Sequence, residues 1–250
     1  MDRLIFTSLS GQKFIDQRVQ QISNEIANVS TVGFKRAYAA ATEAYRYDGD
    51  GFQSRFVSVV KPSTNVDMTA GPMMTTGRAL DVALTGNQLF AVLTEKGELA
   101  YTRRGDLSVA ADGSLRIGSG EQMASDAGGP INVPDLSEIK IGPDGTVFAK
   151  QVGGDAVVFQ PIARLQVVEA DPTQVTLRTD GLYDAQNRQA FPLAETPAVA
   201  SGALEGSNAN LFSSLVDMIS MSRRYEMQVK VLKQASDLAE RSHSLARINQ

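Results

Sequence analysis

Near the start of the chain, Ile15, Val19, Ile22, Ile26 and Val29 follow one another at gaps of four, three, four and three. That alternation is the heptad spacing with which one helix packs along another. Ile5 and Leu9 extend the apolar face upstream, although Gly11 and Gln12 interrupt it. The other faces carry Lys13, Asp16, Gln17, Arg18, Gln20 and Gln21, so the seam is narrow. A helix from Leu4 to Val29 would be roughly 40 Å long, at about 1.5 Å per residue. Gly33 predicts its stop: a left-handed glycine closes the last turn, and Phe34 then folds back toward Val29. Lys35 and Arg36 would follow, their cations near the free carbonyls of the helix end.

The same spacing returns at the other end. From about Ala209 to Ile248, the positions Leu211, Leu215, Met218, Ser222, Tyr225, Val229, Leu232, Ser236 and Ala239 alternate four and three. Asn208 or Asn210 can cap this helix, because a short polar side chain satisfies the free amides of a first turn. Ser222, Ser236 and Ala239 are small enough to let a partner helix come close.

Between the helices the period falls to two, and turn residues become frequent. Leu89–Thr94 and Leu99–Arg103 flank Lys96-Gly97, while Leu107–Ala110 and Ser114–Ile117 flank Asp112-Gly113. Ile139–Ile141 and Val147–Ala149 flank Pro143-Asp144-Gly145. Gln160–Ala170 reads as one strand, and Val175–Arg178 as another before Asp180-Gly181. Short strands joined by tight turns predict antiparallel sheets. The fold class expected is α+β with a mainly β core: terminal helices forming a coiled-coil-like pair, with a central antiparallel β domain. The divisions are residues 1–36 for an N-terminal assembly helix, 37–77 for a partly extended connecting segment, 78–206 for the β domain and 207–250 for a C-terminal assembly helix.

Composition narrows the chemistry. The chain of 250 residues has no cysteine, which excludes disulfides, thiolate metal sites and cysteine nucleophiles. Its single histidine, His243, falls in the second helix and argues against a histidine metal centre or a histidine-dependent triad. A formal net charge of -4 argues against nucleic acid as the main partner. No apolar run is long enough for a membrane span, so direct insertion is not expected, and the first twenty residues are too polar for a signal-peptide core. The Asp-Gly pairs lack the acidic spacing of calcium loops and read as hairpin turns; Asp48-Gly49-Asp50-Gly51 reads as a flexible turn. Arg103-Arg104 and Arg223-Arg224 read as solvated or interfacial ion pairs. No catalytic, cofactor-binding or metal-binding residue is assigned, and no cofactor is expected.

Two amphipathic ends on one chain satisfy each other if they pair antiparallel. Ile5, Phe6, Leu9, Phe14, Val216, Ile219 and Met221 are then left over for neighbouring molecules, which favours assembly. The assembly interface expected is Ile15, Val19, Ile22, Ile26 and Val29 with Leu215, Met218, Tyr225, Val229 and Leu232. From these residues alone, a secreted β-domain hydrolase using carboxylates, or a β-rich adhesin with helical stalks, stays open.

The segment Ala27-Asn28-Val29-Ser30-Thr31-Val32-Gly33-Phe34-Lys35 resembles the signature of flagellar basal-body rod and hook proteins, an Ala-Asn-x-x-Thr-x-Gly-Phe-Lys run closing their N-terminal helix. The motif residues that carry it are Ala27, Asn28, Thr31, Gly33, Phe34 and Lys35. Leu80–Gly86 with Leu89–Val92, Ala100–Leu107, and Ser207-Asn208 with Met218-Ile219 and Arg223–Glu226 resemble further blocks in the family's order. Glu25 departs from the pattern, standing where many members carry a second Asn, as does Gln88-Leu89 where a glycine-aromatic pair is usual. The opening Met-Asp-Arg-Leu-Ile and the length are most similar to the family's proximal rod branch, with distal rod or hook-like members as the alternative.

The resemblance implies a non-enzymatic structural subunit of the periplasmic rod. Its terminal helices would line the export channel and its β domain would form an outer layer, the whole transmitting torque to the hook. The partners implied are other rod subunits, copies of itself and the flagellar type III export apparatus, which would export it without a cleaved signal peptide.

Overall fold

The computed structural model of the chain describes residues 2–38, 41–46, 56–61, 65–134, 138–150, 158–186 and 189–248; for 2–10, 41–46, 56–61 and 239–248 it describes the backbone. The chain closes into two compact units. One comprises Met1–Ala27, Tyr38–Ser63 and Asn210–Gln250; the other comprises Asn28–Ala37 and Thr64–Ala209. The expected Asp48–Gly51 turn lies outside the described residues, as do the side chains of Ile5, Phe6, Leu9 and His243.

The first unit holds α1 (Asp2–Ala27), the hairpin strands β1 (Ala41–Arg46) and β2 (Phe56–Lys61), and, from the far end of the chain, the helix α2 (Leu211–Ile248). α1 runs unbroken through Gly11, and that glycine has a packing reason. A Cβ there would lie 2.6 Å from the side-chain amide nitrogen of Gln228, so its bare backbone is where α2 comes near. Further along α1, Arg18 donates to Asp217 at 3.4 Å, and Glu25 accepts from the Ser214 hydroxyl at 3.3 Å. Partners whose numbers fall on α2 as they rise on α1 make the two helices antiparallel. Ile15 and Ile22 are buried on α1. The Asn210 side chain caps α2 by accepting from the Ser213 amide at 3.2 Å. β1 and β2 pair antiparallel over their full length, Ala41 with Lys61 through to Arg46 with Phe56. The stretch expected to be a partly extended connector therefore contains a hairpin.

The second unit is built from short antiparallel strands. In chain order they are β3 (Met73–Thr75), β4 (Val82–Leu84), β5 (Gln88–Leu93), β6 (Leu99–Thr102), β7 (Leu107–Val109), β8 (Leu115–Ile117), β9 (Gln122–Met123), β10 (Ile139–Ile141) and β11 (Thr146–Lys150). Then follow β12 (Phe159–Arg164), β13 (Val167–Glu169), β14 (Val175–Leu177), β15 (Tyr183–Ala185), β16 (Val199–Ser201) and β17 (Ala203–Glu205). The largest sheet runs β14–β15–β6–β5–β9–β8–β7, with β13 also pairing β5. A second sheet runs β10–β11–β12, and β16 pairs β4 while β17 pairs β3.

β5 is apolar along nearly its whole length because both its faces are covered. Phe90 and Val92 enter a core with Leu84, Leu107, Leu115 and Ile131; Leu89 and Ala91 enter another with Val66, Tyr101, Val168 and Tyr183. Side chains alternate along a strand, so a continuous apolar run marks a strand buried on both sides.

The tight turns fall where the dipeptides predict. At Asp112-Gly113, the glycine has φ +79° and its amide donates to Ala110 at 2.9 Å, while Asp112 accepts from the Ser114 amide and hydroxyl. One expected strand is two. Gln160–Ala170 divides at Leu165-Gln166, because β12 pairs β11 whereas β13 pairs β5 in another sheet. Periodicity registers alternation but not a change of partner.

Candidate functional site

The end of α1 is not closed by Gly33. The helix stops at Ala27, and Asn28–Ser30 turn away, with the Thr31 amide donating to Asn28 O at 3.1 Å and its hydroxyl to the Asn28 side chain at 3.1 Å. Gly33 does take the left-handed conformation, φ +67°, but its amide donates to the Glu205 carbonyl at 2.7 Å. A Cβ at residue 33 would stand 2.5 Å from the backbone carbonyl carbon of Arg103. The glycine is therefore required by a crossing of distant segments, not by a helix cap. Gly33→Ala should cost roughly 2 kcal/mol or more, from backbone strain and that clash together. Chemical denaturation of the full chain checks this, and a wild-type midpoint in the variant would refute it.

Beyond Gly33 the chain lies as a strap within the β-rich unit. The Tyr183 hydroxyl, carried by β15, accepts from the Lys35 amide at 3.2 Å and donates to the Gly33 carbonyl at 3.4 Å. The Asn208 amide donates to Phe34 O at 3.2 Å, and the Asn208 side chain accepts from the Arg36 amide at 2.8 Å. On the other side the Asp67 amide donates to Arg36 O at 2.9 Å, and the Arg36 guanidinium pairs with the Asp67 carboxylate at 3.0 Å. Ala37 bridges Val66. The strap thus lies between the segment that leads into α2 and the segment that returns from the hairpin.

Its anchor is charged and out of water. Lys35, expected beside the helix carbonyls, is fully buried, and its ammonium donates to Glu205 Oε1 at 2.5 Å and to the Thr69 carbonyl at 2.6 Å. Arg103, expected to be solvated or interfacial, is 2% exposed and donates through Nε to Glu205 Oε2 at 2.5 Å. Its remaining nitrogens reach the carbonyls of Leu84, at 2.6 Å, and Gln88. Arg104 lies closer to the surface and pairs with Asp106 at 2.6 Å. Glu205 completes the cluster by accepting from the Gly71 amide at 2.9 Å.

Two cations share one carboxylate, and the surplus positive charge is met by three backbone carbonyls. Burial pushes the Glu205 carboxyl up, but Arg103 and Lys35 outweigh it and hold it below the ordinary carboxylate value. Burial draws the Lys35 amine below its ordinary value, with Glu205 opposing. The Tyr183 phenol is pushed well up by burial.

The motif residues therefore meet the other blocks in space. Gly33, Phe34 and Lys35 join Leu84, Arg103 and Asn208 around Glu205. Ala27 ends α1, while Asn28 and Thr31 form the turn after it. Three contributors went unread in the sequence. Glu205 is a lone acid among small residues, Tyr183 reads as an ordinary strand aromatic, and Glu25, noted as a departure, is buried against Ser214. Tyr183 and Glu205 act only through partners more than a hundred residues away, which leaves no local signal.

Of the expected interface residues, Ile15 and Ile22 are buried, whereas Val19, Ile26, Val29, Met218 and Leu232 are half-buried. Leu215, Tyr225 and Val229 are exposed. So are Phe212, at 80%, and Val216, Ile219, Met227, Val231 and Leu238. Ser214 and Asp217, which hydrogen-bond from α2 to α1, are polar. Among the described residues no group of His, Cys, Asp or Glu is placed to hold a metal, and no helix is long and apolar enough to cross a membrane.

Residues 200–245 match the family model described as flagellar basal body rod FlgEFG protein C-terminal. Residues 83–149 match that of the flagellar hook protein FlgE/F/G D1 domain. The chain is 37% identical to the flagellar basal-body rod protein FlgF of Escherichia coli K12, over 98% of each chain. It is 36% identical to that of Salmonella typhimurium LT2, again over 98% of each. Identity to the flagellar basal-body rod protein FlgG of Agrobacterium fabrum is 28%, over 95% of this chain and 97% of the relative. The blocks that gather around Glu205 thus sit in a chain alike from end to end, and it belongs to the flagellar basal-body rod proteins, its likeness being to FlgF in particular.

Proposed function

We propose that this chain is a structural subunit of the proximal rod, polymerising through α1 and α2 with other rod subunits and with copies of itself. The observation that carries this reading is the apolar stripe left on α2. Phe212, Val216, Ile219, Met227, Val231 and Leu238 recur at near-helical spacing and stand exposed, while Ser214 and Asp217 of the same helix engage α1. A helix apolar on more than one side needs more than one partner. Coiled-coil-like packing of the expected interface residues, with the outer stripe meeting neighbouring subunits, satisfies both sides.

In this reading the helices surround the export channel, and the assembled subunits transmit torque toward the hook. The chain performs no catalysis, reaches the periplasm through the flagellar type III apparatus, and keeps its N-terminus uncleaved. The division into residues 1–36, 37–77, 78–206 and 207–250 describes the assembly roles: helix, connector, central β domain, helix. A distal rod or hook-like position is the second reading. Locating the subunit along purified basal bodies separates the two.

The test is truncation after Ala209 together with Val216→Asp and Ile219→Asp. Truncation leaves every segment of the β-rich unit in place and should give a soluble protein that builds no rod and supports no swimming. The two charge substitutions lie on the exposed stripe, so each should keep the subunit's stability within about 0.5 kcal/mol while abolishing assembly. Normal swimming by either the truncation or the paired substitutions would overturn the proposal.

A further inference from the structure

The Glu205 cluster is unequal in its dependencies. When the strap Asn28–Ala37 is lifted away, Glu205 still holds Arg103 and the Gly71 amide, and Arg103 still holds Leu84 and Gln88. The Gly206 amide keeps its bond to Pro72 at 2.8 Å, and β17 keeps its pairing to β3. Asp67 also loses a charged partner, the half-exposed Arg36, where water can replace it, and it keeps the Thr69 amide at 3.1 Å.

The reverse case differs. When Glu205 is withdrawn, the strap loses the acceptor of Gly33, at 2.7 Å, and Lys35 and Arg103 are left as neighbouring buried cations with no anion between them. Like charges out of water repel, and an unpaired buried ammonium carries a desolvation penalty of several kcal/mol. Solvation of Lys35 is the available relief, and it requires the strap to leave.

We infer that the Lys35–Glu205–Arg103 cluster is a one-way latch, in which the N-terminal strap docks only when the segment before α2 is already seated. Chain topology is consistent with such a device. The strap is flanked on both sides by residues of the other unit, Met1–Ala27 before it and Tyr38–Ser63 after it, so it has no covalent neighbour within the β-rich unit. Its place there is maintained by non-covalent bonds alone. Although Lys35 is synthesised 170 residues before Glu205, the strap becomes fixed after it.

Native-state amide exchange on the full chain tests the latch, read at Gly33 and residue 35 for the strap and at residue 206 for the seat. Because the seat opens only after the strap has left, Lys35→Met should speed exchange on the strap and at residue 206 alike, by about tenfold or more. Glu205→Gln should speed both. Gly206→Ala guards against a misfolded Glu205 variant, since its Cβ would press on Pro72 at 3.1 Å and loosen the seat without touching a charge. In that variant, exchange at residue 206 should rise while the strap keeps its own rate. Acceleration at Gly33 with none at residue 206 in Lys35→Met would overturn the inference. So would a strap that stays protected in Glu205→Gln, or one that opens in step with residue 206 in Gly206→Ala.

Discussion

Replacing Glu205 with glutamine is expected to cost the β-rich unit about 3–5 kcal/mol, the range seen when one member of a buried ion group is removed. The carboxylate is 1% exposed and is the acid that both Lys35 and Arg103 reach. Glutamine keeps its volume but offers neutral atoms to two buried cations. Lys35→Met should cost less, because it removes one of two cations and leaves Glu205 with Arg103. The double variant should be less destabilised than the sum, since the residues act on one another directly. With tryptophan absent from the chain, tyrosine fluorescence or near-ultraviolet dichroism of Tyr101 and Tyr183 reports the transition in denaturant. A loss under about 1 kcal/mol in Glu205→Gln would mean the cluster is solvated and the buried network is misread.

Acid supplies a second readout of the same carboxylate. Its folded value lies below the unfolded one, so between the two the unfolded chain holds a proton that the folded chain does not. Stability from Glu205 is therefore complete above about pH 4.3, the ordinary glutamate value, and falls away as pH drops through the lower folded value. Glu205→Gln should flatten the acid limb of a melting-temperature profile. Asp67, held below its ordinary value by Thr69 and Arg36 against the opposing effect of burial, contributes with the same sign and remains in the variant.

The second large effect is expected at Ile22, which is fully buried on α1. Ile22→Asp places a carboxylate where no water reaches, and roughly 4 kcal/mol or more of destabilisation follows. Among the described residues of the first unit, Ile15 and Ile22 are the buried apolar side chains, so little else there can absorb such a loss. The far-ultraviolet helix signal should fall while the β-rich unit, which shares none of these residues, keeps its own transition. Val216→Asp is the matched control, placing the same charge at an exposed position of α2. Equal helix content in Ile22→Asp and Val216→Asp would show that α1 does not depend on this burial.

The contrast between Ile22 and Val216 also marks how far sequence reading extends. Both sit at apolar positions of a helical period, and periodicity was enough to place the helices and the strands that flank the Lys96-Gly97, Asp112-Gly113 and Asp144-Gly145 turns. Local backbone rules act over a few residues, which is why Asp112-Gly113 and the Asn210 cap fall where they do. The same rules misassign Gly33. Its left-handed conformation is legible, but the segment that requires it, Arg103, lies seventy residues away. Likewise β12 and β13 read as one strand, because alternation continues across the point where the pairing partner changes.

The sequence by itself determined a chain with a helix at each end, a β-rich middle, and a family signature in four ordered blocks. Those are consequences of period, turn chemistry and residue identity, each readable within a short window. Only the tertiary structure decided that the blocks converge on one carboxylate, that Lys35 and Arg103 are buried rather than solvated, and that α2 turns Ser214 and Asp217 to α1 while leaving an apolar stripe free. The physical reason is that burial and charge pairing belong to the contacts between distant segments. A lysine written beside a phenylalanine has the same sequence whether it meets water or Glu205.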